Sequence, residues 1–410
     1  PREEAAVDRR QLLLLAGALG VGALLPGCAP GPAVEADPLV APPSPGSAPL
    51  SSPVDGFADA LNALLAPKPR NLVWSPWSVA MVLAMIREGA AGATRSELDA
   101  VLRAGTDFDA RLVDGWRRMA NEDGTPLRAA NAVWAQRGES WKQPFLAALA
   151  GLLASLKTWD FRTDPAGAAP VVNRWVSDRT AGKITDLLDP GALDTLTRMI
   201  LVNAVHIASP WQQPLKEVGK RPFHTPSGDV SAPFLDTGQD RLVGAKGDGW
   251  TRAVLPCERA GFALVVALPD DPSANPSALP VQAFTGEVAR PELARLVRLT
   301  LPGFATRFRS DLNDVLAAAG MPLAFSDAAD FSGMTADEQL RLTLVVHEAV
   351  ITVDAKGIEA AAATAGVMGA TSAPAGELID LSCDRPFAYV LVHRATGTPV
   401  FCGQVADPSA

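Results

Sequence analysis

Four histidines, four cysteines and no basic block longer than a pair are spread through this 410-residue chain, and each scarcity closes a class of function. His206, His224, His347 and His393 include no two at zinc-protease spacing, and His347-Glu348 has no second histidine four residues on. No Gly-x-Ser-x-Gly elbow, phosphate-cradling glycine loop or GxGxxG follows a strand, so no cofactor is expected. A triad built from distant residues leaves no such trace, so an enzyme stays among the rival readings. The charge balance, 45 acidic against 36 basic residues and a net −9, gives nucleic acid or another polyanion no electrostatic support. The cysteines show neither CxxC nor Cys/His metal spacing; with Cys28 set aside, Cys257, Cys383 and Cys402 are an odd number, which cannot form a closed disulfide framework and leaves room for one disulfide. There is no internal repeat and no βαβ rhythm.

What is present is an ordinary globular composition, 48% hydrophobic and 20% charged, long enough for two or three domains or one large mixed one. The N-terminus reads as a targeting segment. Arg9-Arg10-Gln11 precedes an apolar run, Leu12 to Leu25, that is too short to span a bilayer comfortably and suits a signal-peptide core. Twin arginines followed by leucines resemble a Tat export signal. The ending Leu25-Pro-Gly-Cys28 resembles a lipobox, which would make Cys28 the acylated mature N-terminus; a plain signal cleaved at a small residue is the alternative. On this reading residues 1–28 are signal and the membrane is met only through a lipid anchor. Residues 29–53, rich in Pro, Ala, Gly and Ser, form a tether reaching at most ~75 Å. Residues 54–410 are the folded domain of an exported protein.

Within that domain the apolar spacing of Phe57, Leu61, Leu64 and Leu65 predicts a helix over Asp55–Leu65. Ser75-Pro76 is a strong helix start before Val79–Arg87, a segment apolar on every side and so buried. Thr94-Arg-Ser-Glu97 reads as a capping box. Further helices are expected over Trp141–Leu156, Pro170–Thr180 and Ser310–Ala319. Strands are expected over Leu127–Gln136, Met199–Ile207, Arg252–Pro256, Phe262–Leu268, Val297–Leu301, Leu340–Val353, Pro386–His393 and Pro399–Val405. Helices dominate early and strands late, which is an α+β pattern with large sheets. Asn203 and His347 lie inside apolar strands, where a satisfied core pair with a structural duty is the expected reading.

The stretch Lys356–Gly376 departs from all of this. After Glu359 it carries no charge, its only bulky apolar residues are Ile358, Val367 and Met368, and it joins two strands across about twenty residues, long for a compact domain. Read as a strand, Ile358, Ala360, Ala362 and Thr364 share one face, and Glu359, Ala361 and Ala363 share the other. Such a segment can leave water and enter a core without clash, losing little rotamer entropy. The same residues are compatible with a helix over Glu359–Thr364 or with a plain flexible linker.

These pieces, in this order and spacing, resemble the serpins over Asp55–Pro408. Asn71-Leu-Val-Trp-Ser-Pro-Trp-Ser78 is similar to the start of the family's helix B. Asn173-Arg-Trp-Val through Ile184 resembles the helix F region, and Leu201-Val-Asn-Ala-Val205 with Trp211 a central sheet strand. Asp330-Phe-Ser-Gly-Met334, Asp384-Arg-Pro-Phe387 and the terminus Phe401–Pro408 follow in the family's order, and Glu359–Thr364 is similar to the hinge of inhibitory members. The resemblance implies three sheets, about nine helices, and an exposed reactive loop that baits a serine protease. The implied partner is that protease, held by a monomeric inhibitor as a covalent acyl-enzyme when the cut loop inserts as a strand; a non-inhibitory binding or structural role is the alternative. Such strand addition gains about 0.5–1.5 kcal/mol net per hydrogen bond.

Counting from Gly357 through the hinge Ile358, Glu359, Ala360, Ala361, Ala362, Ala363 and Thr364 places the reactive bond at Thr371–Ser372, with Met368 and Ala370 as alternative reactive residues. Small neighbours and the lack of Arg or Lys imply an elastase-like or subtilisin-like target. Ser75, Ser78, Asn203 and His347 correspond to the polar cluster where the sheet parts, and Trp211 to the point where insertion begins. Two positions depart from the pattern: Ala355 stands where a glutamate is usual and supplies no carboxylate for a closing salt bridge, and Ile358 replaces Thr or Ser at the first inserted position. Near helix D only Arg117-Arg118 pair, so no heparin site is expected.

Overall fold

The structure, a computed structural model, describes residues 52–120, 127–238, 242–258, 261–289, 295–336, 339–359 and 378–410. The chain opens with α1 (Asp55–Leu65), β1 (Leu72–Trp74) and α2 (Pro76–Arg87). The Ser75 hydroxyl accepts from the Ser78 amide at 3.2 Å, with proline at the first helical position, so α2 starts where its cap allows. All twelve residues of α2 are buried, because strands and helices meet it on every side. Then come α3 (Gly92–Leu102), α4 (Phe108–Ala120), β2 (Leu127–Gln136), α5 (Gln143–Gly151), β3 (Ser155–Trp159), α6 (Ala168–Arg179), β4 (Met199–Ile207) and the short β5 (Ser209–Pro210). The strands β6 (Lys216–Thr225), β7 (Gly228–Asp236), β8 (Leu242–Gly247), β9 (Trp250–Pro256) and β10 (Phe262–Pro269) follow, then α7 (Val281–Ala289), β11 (Arg295–Pro302), β12 (Phe304–Asp311) and α8 (Asn313–Ala319). The last strands are β13 (Leu344–Val353), β14 (Gly357–Ile358), β15 (Ile379–Ser382), β16 (Phe387–His393) and β17 (Thr398–Val405).

The seven-stranded sheet runs β3-β2-β4-β13-β14-β5, with β12 also paired to β13. Its central pair is parallel: β13 lies beside β4 from Leu344↔Ile200 to Val350↔His206. Period-two alternation sends Leu201, Asn203 and Val205 of β4, with Val345, His347 and Ala349 of β13, toward α2 and the main core. Ile200, Val202, Ala204, Leu344 and Val346 face the other way and pack with Val172 and Val176 of α6. The ten-stranded sheet runs β1-β17-β16-β10-β9-β8-β11-β7-β6, with β15 beside β11.

Among the described residues the strands thus form two hydrogen-bonded sheets and there are eight α-helices. Three sheets become two because β11 pairs β8 at its start, Arg295–Val297, and β7 at its end, Thr300–Pro302. Several boundaries also move. The helix expected over Trp141–Leu156 stops at Gly151, and Ser155–Trp159 turns to strand against β2, because Leu153 takes a left-handed φ of 55° that ends the helix. Ser310 belongs to β12, registered with His347, so α8 begins only at Asn313. Leu340 and Leu342 are buried but precede β13. Thr94 lies inside α3 and caps nothing; its hydroxyl accepts from the Asp330 amide at 2.9 Å, while the Glu97 carboxylate accepts from the Leu323 amide. Cys257, Cys383 and Cys402 are free buried thiols, and no disulfide joins them.

Candidate functional site

Four of the residues singled out in the sequence meet at the centre of the seven-stranded sheet, against the start of α2. Ser75, Ser78, Asn203 and His347 are all fully buried. His347 and Asn203 are registered partners on the parallel strands, and Asn131 of β2 is the partner of Asn203 on its other side. The Ser75 amide donates to His347 Nε2 at 3.3 Å, which fixes that nitrogen as acceptor. His347 Nδ1 therefore carries the hydrogen and donates to Asn203 Oδ1. Asn203 Nδ2 donates to Ser78 Oγ at 2.6 Å and Asn131 Oδ1 at 2.7 Å, and Ser78 Oγ donates to Asn131 Oδ1 at 2.9 Å. Burial pushes the His347 pKa down to about 3, so the ring is neutral and the network carries no charge. This chain of bonds ties α2 to β2, β4 and β13 at once, and so spans the junction between the two parallel strands.

Past His206 and Val350 those strands part, and the chain after β13 turns back between them. The reversal is built by Asp354, whose Oδ1 accepts from the Lys356 amide at 2.7 Å and the Gly357 amide at 3.0 Å, while its own amide donates to Gly357 O. Trp211 fastens the turn from the other side: Nε1 donates to Asp354 O at 2.8 Å, and its amide donates to Lys356 O. Leu215 N donates to Ala355 O, so Ala355 is held through its backbone. Gly357 and Ile358 then lie as β14, antiparallel both to β13 (Val353↔Ile358) and to β5 (Gly357↔Pro210, Ile358↔Ser209). Ile358 is 0% exposed and belongs to the main core, so the first hinge side chain is already inside the sheet of the uncut chain.

The strand stops at Glu359, which takes a left-handed φ of 50°. For a residue with a Cβ this conformation costs roughly 1–2 kcal/mol, and here it steers the chain out of the sheet. The Glu359 amide still donates to Thr352 O at 3.0 Å. Its carboxylate is held by two partners: Lys183 Nζ lies 2.6 Å from Oε1, and His206 Nε2 contacts Oε2. Lys183 is brought there by the end of α6, where Ala181 and Gly182 adopt positive φ and Lys183 N bonds back to Thr180 O. Burial holds His206 below its ordinary pKa, an effect that the neighbouring Glu359 opposes and Lys183 reinforces.

Sequence reading therefore placed Ser75, Ser78, Asn203 and His347 in one network, and Trp211, Gly357, Ile358 and Glu359 at the mouth where the strands part. It missed Asn131, a small amide in an alanine-rich strand with nothing local to mark it. It also missed Asp354, for which Asp-x-x-Gly357 was the available turn signal. The open slot that a strand-inserting fold suggests is not there: β4 and β13 are registered over seven residue pairs, because parted strands would leave buried amides unpaired. Cys28, Ala360, Ala361, Ala362, Ala363, Thr364, Met368, Ala370, Thr371 and Ser372 lie outside the described residues. Among the described residues no cluster of His, Cys, Asp and Glu is suited to a metal ion.

Comparison with known proteins places this geometry. A family model described as Serpin (serine protease inhibitor) matches residues 55–408. An uncharacterised serpin-like protein of Thermococcus kodakarensis is 33% identical over 377 residues, which span 88% of this chain and 86% of its own length. The leukocyte elastase inhibitor of Bos taurus is 30% identical over 358 residues, 82% of this chain and 93% of that one. Among solved structures, the thermophilic serpin tengpin in its native state superposes with a TM-score of 0.78 at 23% identity, covering 92% of this chain and 99% of that one, a likeness of fold.

Proposed function

Since the chain belongs to the serpin family, we propose that it is a suicide-substrate inhibitor that traps a serine protease by adding its cut reactive loop as a strand. The observation that carries this reading is topological. The central strands β4 and β13 are parallel neighbours, and the chain reverses straight after β13. The strand that follows is therefore antiparallel to both, with Gly357 and Ile358 already seated between Val353 and Ser209. Six residues further along, a strand continued in the same register would bring Thr364 opposite both His347 and Asn203, which are themselves partners. Its side chain would share the Ile358 face and bring a hydroxyl to the polar network of His347, Asn203, Asn131 and Ser78. Glu359, Ala361 and Ala363 would face α6, where small side chains pass beneath a helix that is already packed.

In this account the protease serine attacks the carbonyl carbon of Thr371, the amine of Ser372 leaves, and the ester stays on the enzyme while the freed arm enters the sheet. The exchange breaks one parallel ladder and makes two antiparallel ones, each at least as favourable per residue. The target inferred from Ala370, Thr371 and Ser372 is elastase-like or subtilisin-like, in keeping with the elastase inhibitor of Bos taurus among the relatives. One feature favours a non-inhibitory role instead: β4 and β13 must first give up seven registered pairs. Incubation with pancreatic elastase or subtilisin decides between them. A detergent-stable covalent complex is expected, and Thr371→Arg moves it to a trypsin-like protease. Cleavage with no complex would support the non-inhibitory role, and a turnover activity an enzyme.

A further inference from the structure

The first two hinge residues are seated in the sheet before any cut, and something must keep them there. The Asp354 turn, the Trp211 and Leu215 bonds and the burial of Ile358 hold the near end, but β14 has only two residues, and at its far end the chain leaves through a strained left-handed Glu359. Left to itself so short a strand frays, since the ends of elements open at little cost. The Glu359 side chain is fixed at two points that belong to different elements. Lys183 comes from the turn after α6, and His206 from β4, on the face of the sheet that α6 covers. His206 is almost fully buried and its Nδ1 has no hydrogen-bond partner, so Nε2 is its one polar link and it is spent on Glu359.

We propose that Lys183 and His206 are positioning residues for the bait loop, clamping Glu359 so that Gly357 and Ile358 stay seated between β13 and β5 in the uncut chain. The clamp acts at the residue where the chain changes from strand to exit, so it fixes both the inserted start of the arm and the direction in which the rest leaves. The use made of that start rests on the trapping account above; the clamp itself is a property of the intact chain and is tested without a protease.

The test is amide hydrogen exchange on the full-length chain and on Lys183→Met and Glu359→Gln. Lys183 is about half exposed, and its replacement leaves the core intact. The readout is the residue-359 amide, bonded to Thr352 O, with the amides of β13 from Val345 to Ile351 as internal reference. Both variants are expected to exchange at residue 359 about threefold to fivefold faster, with the reference amides unchanged. Unchanged protection at residue 359 in both variants overturns the clamp. The elastase assay separates this from the broader reading: faster exchange in a chain that forms no complex leaves the clamp standing without the trap. A complex with unaltered exchange does the reverse.

Discussion

A histidine that never charges is a better rivet than one that does. His347 sits where the two central strands meet, and a protonated ring there would break the bond from the Ser75 amide, since Nε2 would turn from acceptor to donor. Burial enforces neutrality by lowering its pKa to about 3. In the unfolded chain the same ring takes a proton near its ordinary 6.5. Its contribution to stability is therefore complete above that value and is lost progressively as pH falls toward 3, which amounts to about 2 kcal/mol at pH 5. His347→Gln keeps a polar side chain but removes the titration. Urea midpoints at pH 7 and pH 5 should fall apart more for the parent than for the variant; equal pH dependence in both would remove His347 from the account. Residues of this kind were legible because a polar side chain inside an apolar strand is conspicuous. Asn131 was not, since β2 is so rich in alanine and polar neighbours that one more amide carries no contrast.

At the scale of elements, the sequence announced β4 and β13 by apolar runs broken at only a few polar positions, but it did not announce that they pair with each other. Parallel neighbours contributed by segments 144 residues apart leave no local trace, whereas hairpins such as β9–β10 do. The β6–β7 hairpin, Lys216 to Asp236, escaped for the opposite reason: much of β6 is exposed, so it lacks the alternation that identifies a half-buried strand. Once the pairing is known, the faces of an added strand follow by register. Ala363 would come opposite Glu348 and Ala204, on the side covered by α6. Glu348 is wholly buried there, held by Arg307 Nε at 2.5 Å, and burial raises its pKa against that cation's pull. A second carboxylate beside it would be repelled and desolvated at once. Ala363→Glu should therefore leave loop cleavage by elastase within about twofold of the parent while lowering the yield of covalent complex at least tenfold. Unchanged complex yield would show that Ala363 does not travel beneath α6.

For the whole molecule, the trapping proposal requires that the folded chain hold a better arrangement in reserve. The seven-stranded sheet is complete in the sense that its strands are paired, yet its two central members run the same way and are joined by one ladder of slanted bonds. Inserting residues 357–368 would place an antiparallel strand along the registered length of both, from Val353 to Leu344 on one side and from Ser209 to Met199 on the other. On that proposal the far anchor opposes insertion of the intact loop, since Ile379–Ser382 is β15, held parallel to β11 in the other sheet. Cutting between those anchors would release the arm. The net gain would be about ten hydrogen bonds at about 0.5–1.5 kcal/mol each, on the order of 10 kcal/mol and thus comparable with the entire stability of a typical domain. For a domain of this size such a gain corresponds to a melting point roughly 10 °C or more higher. Calorimetry of the chain before and after a single cut in the loop measures it directly. The cut form should melt well above the intact one, with the two fragments still associated. A cut chain that melts at the same temperature has formed no new strand, and the β4–β13 pair would then be an ordinary feature of a closed sheet.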